Sequence, residues 1–432
     1  MTPVSIGIIG LTVMIALMFG GLPIGFAMGL VGFTGFAYLN GLYPALALIG
    51  MVPYRTFSDY GFSVIPLFML MGMFAFQAGI SSDLYNAARK ILGRTPGGLA
   101  IASIAACAAF GAICGSSTAS GATMAMVALP EMRKAGYHPG FAAATIAVGG
   151  TLGIMIPPSL TFMIYGIIAQ ESVGKLFIAG VFPGIIGALL LMGTIYVWCH
   201  LDRTVAPPAA RTSFREKIAS LKGIWVVLTI FVVVIGGIYK GYFSSTEAAG
   251  IGCFCTLVFA IMRRRITWQS FLESLYDTVR ISCMCFVIVV GAMIFSYFLT
   301  TSRLPAEVAK VIGGGWNRYL SLALIVVIYL FLGCLMDTIA MILLTVPIFL
   351  PLMKAYGFDP IWFGVIVTLM AEISLITPPV GMNVFVISGV VRDVPMYSIF
   401  ASAGWYLIPM FILLMLLIFF PEIALYLPAS MQ

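Results

Sequence analysis

Asp337 and Glu372 stand in long apolar runs, the first between Met336 and Thr338, the second six residues before the pair Pro378 and Pro379. A charge at the centre of a membrane helix costs about 2.5 to 3.5 kcal/mol on insertion scales, so an acid kept there is expected to bind a cation or relay a proton. For Glu372 the competing reading is a paired structural acid holding helices together; Asp337, at the tip of a turn, has less structural reason to be there. The prolines add a second kind of ligand. Proline at position i cannot donate to the carbonyl at i−4, so Pro157 and Pro158 are expected to free the carbonyls of Gly153 and Ile154, and Pro378 and Pro379 those of Ser374 and Leu375. Uncharged oxygens of this kind suit Na⁺. Upstream of each proline pair lies a short stretch rich in small or oxygen-bearing residues, Gly115 to Thr118 in one place and Met336 to Ile339 in the other. Prolines can also merely kink a membrane helix, but that reading explains one kink better than two kinks each paired with such a tip.

The chain around these residues has 432 residues, of which 62% are hydrophobic and 9% charged, where a soluble domain carries about 25% charged residues. Apolar runs long enough to cross a bilayer recur from end to end. The longest polar stretch, 201–223, could hold one surface helix but no core of its own. An all-α polytopic membrane protein is expected, with its chemistry inside the membrane region. The run 4–20 lacks the basic n-region of a cleaved signal peptide and continues into another apolar segment, which predicts a first transmembrane helix. A net charge of +7 could suggest nucleic acid, yet the 22 Lys and Arg gather at the ends of apolar runs, where orientation in the membrane explains them. Eight cysteines form no C-x-x-C pair and read as small packing residues. The two histidines, His138 and His200, are too few and too far apart for a metal or haem site. No clustered His, Asp, Cys or Ser with a general-base partner argues for an enzyme.

The elements that must position the tips and breaks show themselves through an internal repeat. A shift of 221 residues superposes Pro130, Gly136, Pro139, Pro157 and Pro158 on Pro351, Gly357, Pro360, Pro378 and Pro379 without a gap. The first repeat is read as 1–210, with three scaffold spans in 4–80, an arm at 82–94, a hairpin at 98–133, a broken helix at 138–169 and a last span at 174–200. A cytoplasmic linker at 211–223 leads to the second repeat, 224–432, with spans in 224–300, an arm at 303–318, a hairpin at 319–354, a broken helix at 360–390 and a span at 396–421. The second arm of the first hairpin is read as 118–130; thirteen helical residues reach only about 20 Å against a hydrocarbon core of about 30 Å, which predicts a re-entrant hairpin. Each half then crosses five times, an odd number, so the repeats are inverted. With the linker in the cytoplasm, fifteen Lys and Arg lie on that side and seven outside, as the positive-inside rule requires, and both termini face outward. Half-helix ends meeting at the midplane of inverted repeats are the layout of ion and substrate sites in secondary transporters; an open channel matches two closed hairpins less well.

The two arms are amphipathic and are expected to lie along the interface, linking a fixed scaffold to a moving body. Glu247, near the start of a span, reads as an acid favoured by the helix dipole. Arg303, after a span on the outer face, reads as a snorkelling arginine, with pairing to a substrate carboxylate as the alternative.

The runs Gly115-Ser-Ser-Thr-Ala-Ser120, Gly149-Gly-Thr-Leu-Gly-Ile-Met-Ile-Pro-Pro-Ser159, Thr246-Glu-Ala-Ala-Gly250, Met336-Asp-Thr338 and Thr377-Pro-Pro-Val-Gly381 resemble the large membrane subunit of TRAP (tripartite ATP-independent periplasmic) transporters, over essentially the whole chain. The resemblance implies an elevator-type fold in a bacterial or archaeal inner membrane, with Na⁺ as the coupling ion and no organic cofactor. It also implies a small four-helix membrane subunit and a periplasmic binding protein that delivers an organic acid, such as a C4-dicarboxylate, sialic acid or another carboxylate. Carried over residue by residue, the first Na⁺ site falls on Ser116, Gly153, Ile156 and Pro158, and the second on Asp337, Ser374, Thr377 and Pro379. Substrate is expected between the tips, with Ser116, Ser117, Thr161, Arg303, Asp337 and Glu372 as candidates. The alternative is a self-sufficient carboxylate or ion exchanger of the same fold.

Overall fold

The computed structural model describes residues 2–93, 95–207, 220, 224–313, 317–334 and 336–431. The end of the first arm at Arg94, nearly all of the expected linker 211–223 and residues 314–316 of the second arm lie outside the described residues. In lipid only a helix or a closed barrel satisfies its own backbone. Among the described residues the chain takes the first solution throughout, with twenty α-helices and no strand.

In the first half, α1 (Pro3–Phe19), α2 (Ile24–Asn40), α3 (Leu42–Ser58), α4 (Val64–Gln77) and α5 (Ile80–Leu92) lead into a hairpin of α6 (Gly98–Cys114) and α7 (Ser117–Lys134). Then come α8 (Pro139–Met155), α9 (Leu160–Ala169) and α10 (Val173–Leu201). The second half holds α11 (Trp225–Tyr239), α12 (Ser245–Met262), α13 (Trp268–Ser302) and α14 (Leu304–Gly313), a hairpin of α15 (Arg318–Gly333) and α16 (Thr338–Ala355), then α17 (Pro360–Ser374), α18 (Met382–Val390), α19 (Met396–Phe419) and α20 (Glu422–Ala429). Seven helical stretches among the described residues are long and apolar enough to cross a membrane, Val173–Leu201 and Met396–Phe419 among them. Large apolar side chains such as Phe19, Leu189, Phe254 and Phe411 stand exposed on their outer faces, as lipid-facing positions do. The chain is a multi-pass membrane protein.

Corresponding elements keep the spacing of the sequence repeat. α7 and α16 each have 18 residues and begin 221 residues apart, and α8 and α17 begin at Pro139 and Pro360. Both Pro-Pro bonds, Pro157–Pro158 and Pro378–Pro379, are cis. The match fails ahead of the hairpins. Where the second half runs a single helix, α13, of 35 residues, the first half has α3, a 3-10 turn at Tyr60–Ser63 and α4. The three-span reading missed α3. Its buried positions, Ala45, Leu48, Val52 and Thr56, follow the helical period, but Gly50 and Pro53 interrupt the run and disguise it as a loop.

The hairpin arms also correct the sequence reading. α7 continues through Pro130 to Lys134, so it has 18 residues rather than thirteen and reaches about 27 Å. At that length the arm no longer falls well short of the hydrocarbon core of about 30 Å, so its length gives no argument for a re-entrant hairpin. The centre of the molecule is formed by the broken helices: every residue of α8 from Gly140 to Met155 is buried, and so is every residue of α17 from Trp362 to Ser374. α8 lies between α6 and α7 and also packs on α19 of the other half. α5 buries Ile80, Leu84 and Tyr85 and is held to the turn after α12 by Asp83, which pairs with Arg263 and, at 3.9 Å, with Arg265. Two further ion pairs occupy related places in the halves. Arg133, at the end of α7, meets Asp393 after α18 at 2.8 Å, and Lys354, at the end of α16, meets Glu171 after α9 at 2.9 Å.

Candidate functional site

The first tip forms because α6 ends at Gly115 with φ of 63°, a left-handed conformation that glycine adopts without a Cβ penalty. Ser116 is then extended and caps α7, its Oγ accepting from Ala119 N at 3.5 Å. At the second tip Asp337 has the same duty, its Oδ2 accepting from Ile339 N at 3.2 Å at the start of α16. Ser and Asp are both favoured at this position, so Asp337 has a structural task the sequence reading did not count. In the first broken helix the chain leaves α8 at Ile156 and re-enters helix at Ser159, whose Oγ accepts from Phe162 N at 3.4 Å. The second break is longer, from Leu375 to Gly381.

These ends meet. One cavity of about 50 Å³ is lined by Ser116, Ser117 and Thr118 from the first tip, Asp337 and Thr338 from the second, and Thr161 from α9, with Gly115, Ile154, Leu160, Ile339 and Leu375 between them. The N-termini of α7, α9 and α16 all open onto it, three positive dipole ends suited to an anion. The hydroxyls of Thr161 and Thr338 make no hydrogen bond to another described residue. A cavity of this size has room for little more than a few waters.

Of the residues assigned to the first Na⁺ site, Ser116, Gly153 and Pro158 are brought together. A Cβ on Gly153 would stand 3.0 Å from the Ser116 carbonyl oxygen, and one on Gly115 would stand 2.9 Å from that of Pro158. Ile156 stands at the break, where its side chain and backbone pack on Gly184 of α10. Of the second set, Asp337 lines the cavity and Ser374 lies against Gly333 at the end of α15. Thr377 donates to Ile373 O at 2.6 Å, and Pro379 is exposed and outside the lining.

Three of the four carbonyls expected to be free have donors. Ser159 Oγ donates to Ile154 O at 2.5 Å, Thr377 N to Ser374 O at 3.2 Å, and Asn383 N to Leu375 O at 3.1 Å. Only Gly153 O has none among the described residues. The proline rule removes the helical partner but says nothing of the residues just past the break, which fold back to replace it. A carbonyl keeps a second lone pair, so cation ligation remains open to all four.

Two candidates lie elsewhere. Arg303 is an exposed cap at the end of α13 with φ of 57°, outside the cavity lining. Glu372 is 1% exposed within α17 and does not reach the cavity; its Oε1 has no hydrogen-bond partner among the described residues, so the paired-acid reading has no partner to show. Glu247 caps α12 as expected, in a reciprocal pair with Ser244. One residue went unread. Asn383, 1% exposed at the start of α18, donates to Ser117 Oγ at 2.6 Å and to Ala147 O at 3.0 Å. Its signal was its place just after the Thr377 to Gly381 run, where a lone amide in apolar sequence needs partners.

The family model described as "Tripartite ATP-independent periplasmic transporter, DctM component" matches residues 11–423. The chain is 36% identical over 378 residues to the C4-dicarboxylate TRAP transporter large permease protein DctM of Pseudomonas aeruginosa, covering 87% of this chain and 88% of that protein. It is 32% identical over 419 residues to the sialic acid TRAP transporter large permease protein SiaM of Vibrio cholerae, covering 96% of each. Among solved structures it is similar in fold to the Alcanivorax borkumensis YdaH transporter, with a TM-score of 0.63 at 14% identity over 88% of this chain and 90% of that one. A chain of apolar helices in which two hairpin tips meet over two Pro-Pro breaks, matched by this family from residue 11 to residue 423, belongs to the DctM family of TRAP transporter large permease components.

Proposed function

We propose that this chain is the transport-carrying subunit of a Na⁺-coupled importer of organic acids, working by elevator-type alternating access in the inner membrane. The observation that carries the reading is the shared cavity: both tips and the N-termini of α7, α9 and α16 line it. If the halves are inverted, hairpins entering from opposite faces meet tip to tip only near the midplane, which makes both re-entrant whatever the length of their arms. A substrate carboxylate is met there by backbone N–H groups and hydroxyls rather than by a basic side chain, since none among the described residues lines the cavity. Asp337, the Ser116 hydroxyl and the break carbonyls form an all-oxygen donor set, and hard oxygen donors suit an alkali cation.

Sodium enters this scheme as co-transported cargo. Held between a tip and its broken helix, it orders the tip and so completes the pocket that the organic acid needs; each ligand then raises the affinity for the other. The hairpins, α8, α9, α17 and α18 form the moving body. α1 to α4 and α11 to α13 form the scaffold, with α5 and α14 as the connecting arms. A small four-helix membrane subunit and a periplasmic binding protein complete the assembly, and both termini of this chain face outward. Relatives named for C4-dicarboxylates and sialic acid support an organic acid as substrate.

The test is uptake of a panel of labelled organic acids into proteoliposomes holding this chain with its small subunit, with and without binding protein and an inward Na⁺ gradient. Uptake that needs both supports the tripartite reading. Uptake without the binding protein replaces it with the self-sufficient exchanger, and uptake indifferent to Na⁺ removes the coupling ion.

A further inference from the structure

A second cavity, of about 310 Å³, lies between α13 on one side and α9 and α16 on the other. Gln170 at the end of α9, Ser296, Tyr297 and Thr300 of α13, and Leu343 and Pro347 of α16 line it, and none of its lining residues is shared with the tip cavity. The two cavities nevertheless follow the same helices. Leu343 is one turn beyond Ile339 on α16, and Gln170 closes the helix that Thr161 helps to open. The volume is at the lower end of the range for small-molecule pockets, which are mostly apolar with a few convergent polar groups. This wall has that character. Ile167, Ile168, Ala292 and Met293 supply apolar surface, while the Ser296 hydroxyl and the Gln170 amide make no hydrogen bond to another described residue. Thr300 Oγ1 donates to Ser296 O at 2.8 Å, so its lone pairs remain as acceptors. Among the described residues no charged side chain lines the cavity, so an ionised carboxylate or a cation finds no counter-charge from them.

We propose that this cavity is a second ligand site, separate from the transport site, for a small neutral amphipathic molecule, and that its occupation arrests transport. The inference rests on the elevator reading, in which α13 belongs to the scaffold and α9 and α16 to the moving body. A cavity walled by both exists in this shape only at one position of that body. A molecule filling it binds one state in preference to the other and shifts the population by its differential affinity. The apolar body of the ligand lies along Leu343, Pro347 and Ile168, with its polar end toward Gln170 and Ser296.

The test uses a tethered occupant. Ser296→Cys is made in a Cys283→Ser background, because Cys283 is the exposed native thiol, and is reconstituted with the small subunit and binding protein. The Cys283→Ser parent, treated identically, controls for the remaining cysteines. Benzyl methanethiosulfonate is expected to lower uptake at least tenfold, methyl methanethiosulfonate to leave it within twofold, and dithiothreitol to restore it. Free 4-phenylbutanamide is expected to slow the labelling, and to lower the maximal uptake rate of the wild-type protein without changing KM for the transported acid. Thr300→Cys serves if Ser296→Cys does not insert. A benzyl adduct that transports at the parent rate, or labelling unaffected by 4-phenylbutanamide, overturns the proposal. If the wild-type assembly does not transport at all, the importer reading fails instead, and protection from labelling alone decides whether the cavity binds.

Discussion

Asn383 Nδ2 reaches Ser117 Oγ at 2.6 Å and Ala147 O at 3.0 Å, so one side chain from the second half ties the tip of the first hairpin to the first broken helix. The carbonyl of Ala147 needs a donor, which sets the amide orientation. Asn383→Leu removes both bonds and leaves the buried Ser117 hydroxyl without that partner, at about 1 to 3 kcal/mol, while the Ala147 carbonyl keeps its place in the α8 ladder. Uptake is expected to fall by about one to two powers of ten while membrane insertion is retained. Because the two residues act as one contact, Asn383→Leu with Ser117→Ala should be little worse than Asn383→Leu alone. Additive losses in initial uptake rates would contradict the shared role.

Asp337 has two tasks that substitution separates. Asp337→Asn keeps an N-cap for α16, whereas Asp337→Ala loses it at a cost of about 0.5 to 2 kcal/mol. Thermal unfolding in detergent should therefore place the Asn variant near wild type and the Ala variant below it. Sodium-driven uptake is expected to be lost in both, since neither supplies a carboxylate. Normal uptake by Asp337→Asn would reduce Asp337 to a helix cap.

Gly153 is in contact with the first tip. A Cβ there would stand 3.0 Å from Ser116 O and 3.3 Å from Ser120 Cβ, so Gly153→Ala must push the tip away from α8. The apparent affinity for Na⁺ is expected to drop several-fold, and Pro157→Ala with Pro158→Ala to weaken Na⁺ dependence as well. The measurement is uptake rate against Na⁺ concentration; unchanged curves in both variants would remove these residues from the ion site.

Arg303 and Thr161 predict opposite outcomes. Arg303→Ala, altering an exposed cap outside the cavity, is expected to leave uptake within twofold. Thr161→Val removes a hydroxyl from the cavity wall at nearly constant shape and is expected to raise KM for the organic acid at least fivefold. The reverse pattern in KM would return the arginine to the substrate site.

Arg133 and Asp393 predict a pH dependence. The guanidinium hydrogen bond from Arg133 holds the Asp393 carboxyl below the usual carboxylate range. A carboxyl with a depressed folded-state value contributes stability above its unfolded value, near 3.9, and loses it as pH falls through the depressed value. The melting temperature of Asp393→Asn should therefore lie below wild type at pH 7 and converge on it in strongly acidic buffer. Added salt should narrow the gap, because both side chains are partly exposed. A gap of constant size from pH 7 into acid would mean that the ion pair is not its source.

What could be read from the chain alone was what local rules impose. Apolar runs of spanning length must be helices in lipid, and the two Pro-Pro pairs 221 residues apart interrupt corresponding helices. Small or oxygen-bearing residues at both tips, Gly115 to Thr118 and Met336 to Ile339, are legible as turns between helices. Glycine and proline hide the period of α3, and Pro130 suggests an end to α7 although the helix runs on to Lys134.

The tertiary structure alone decided which oxygens are free and which residues share a cavity. Ser159, Thr377 and Asn383 return donors to carbonyls that lose their helical partners, a matter of how the chain folds after each break. Arg303 and Glu372 look as suitable for a site as Asp337 when only composition is considered, yet Asp337 alone reaches the place where the halves meet. Spacing along one helix places a side chain on a face. Contact between residues hundreds of positions apart, as between Ser117 and Asn383, depends on how two halves pack, and no local pattern encodes that.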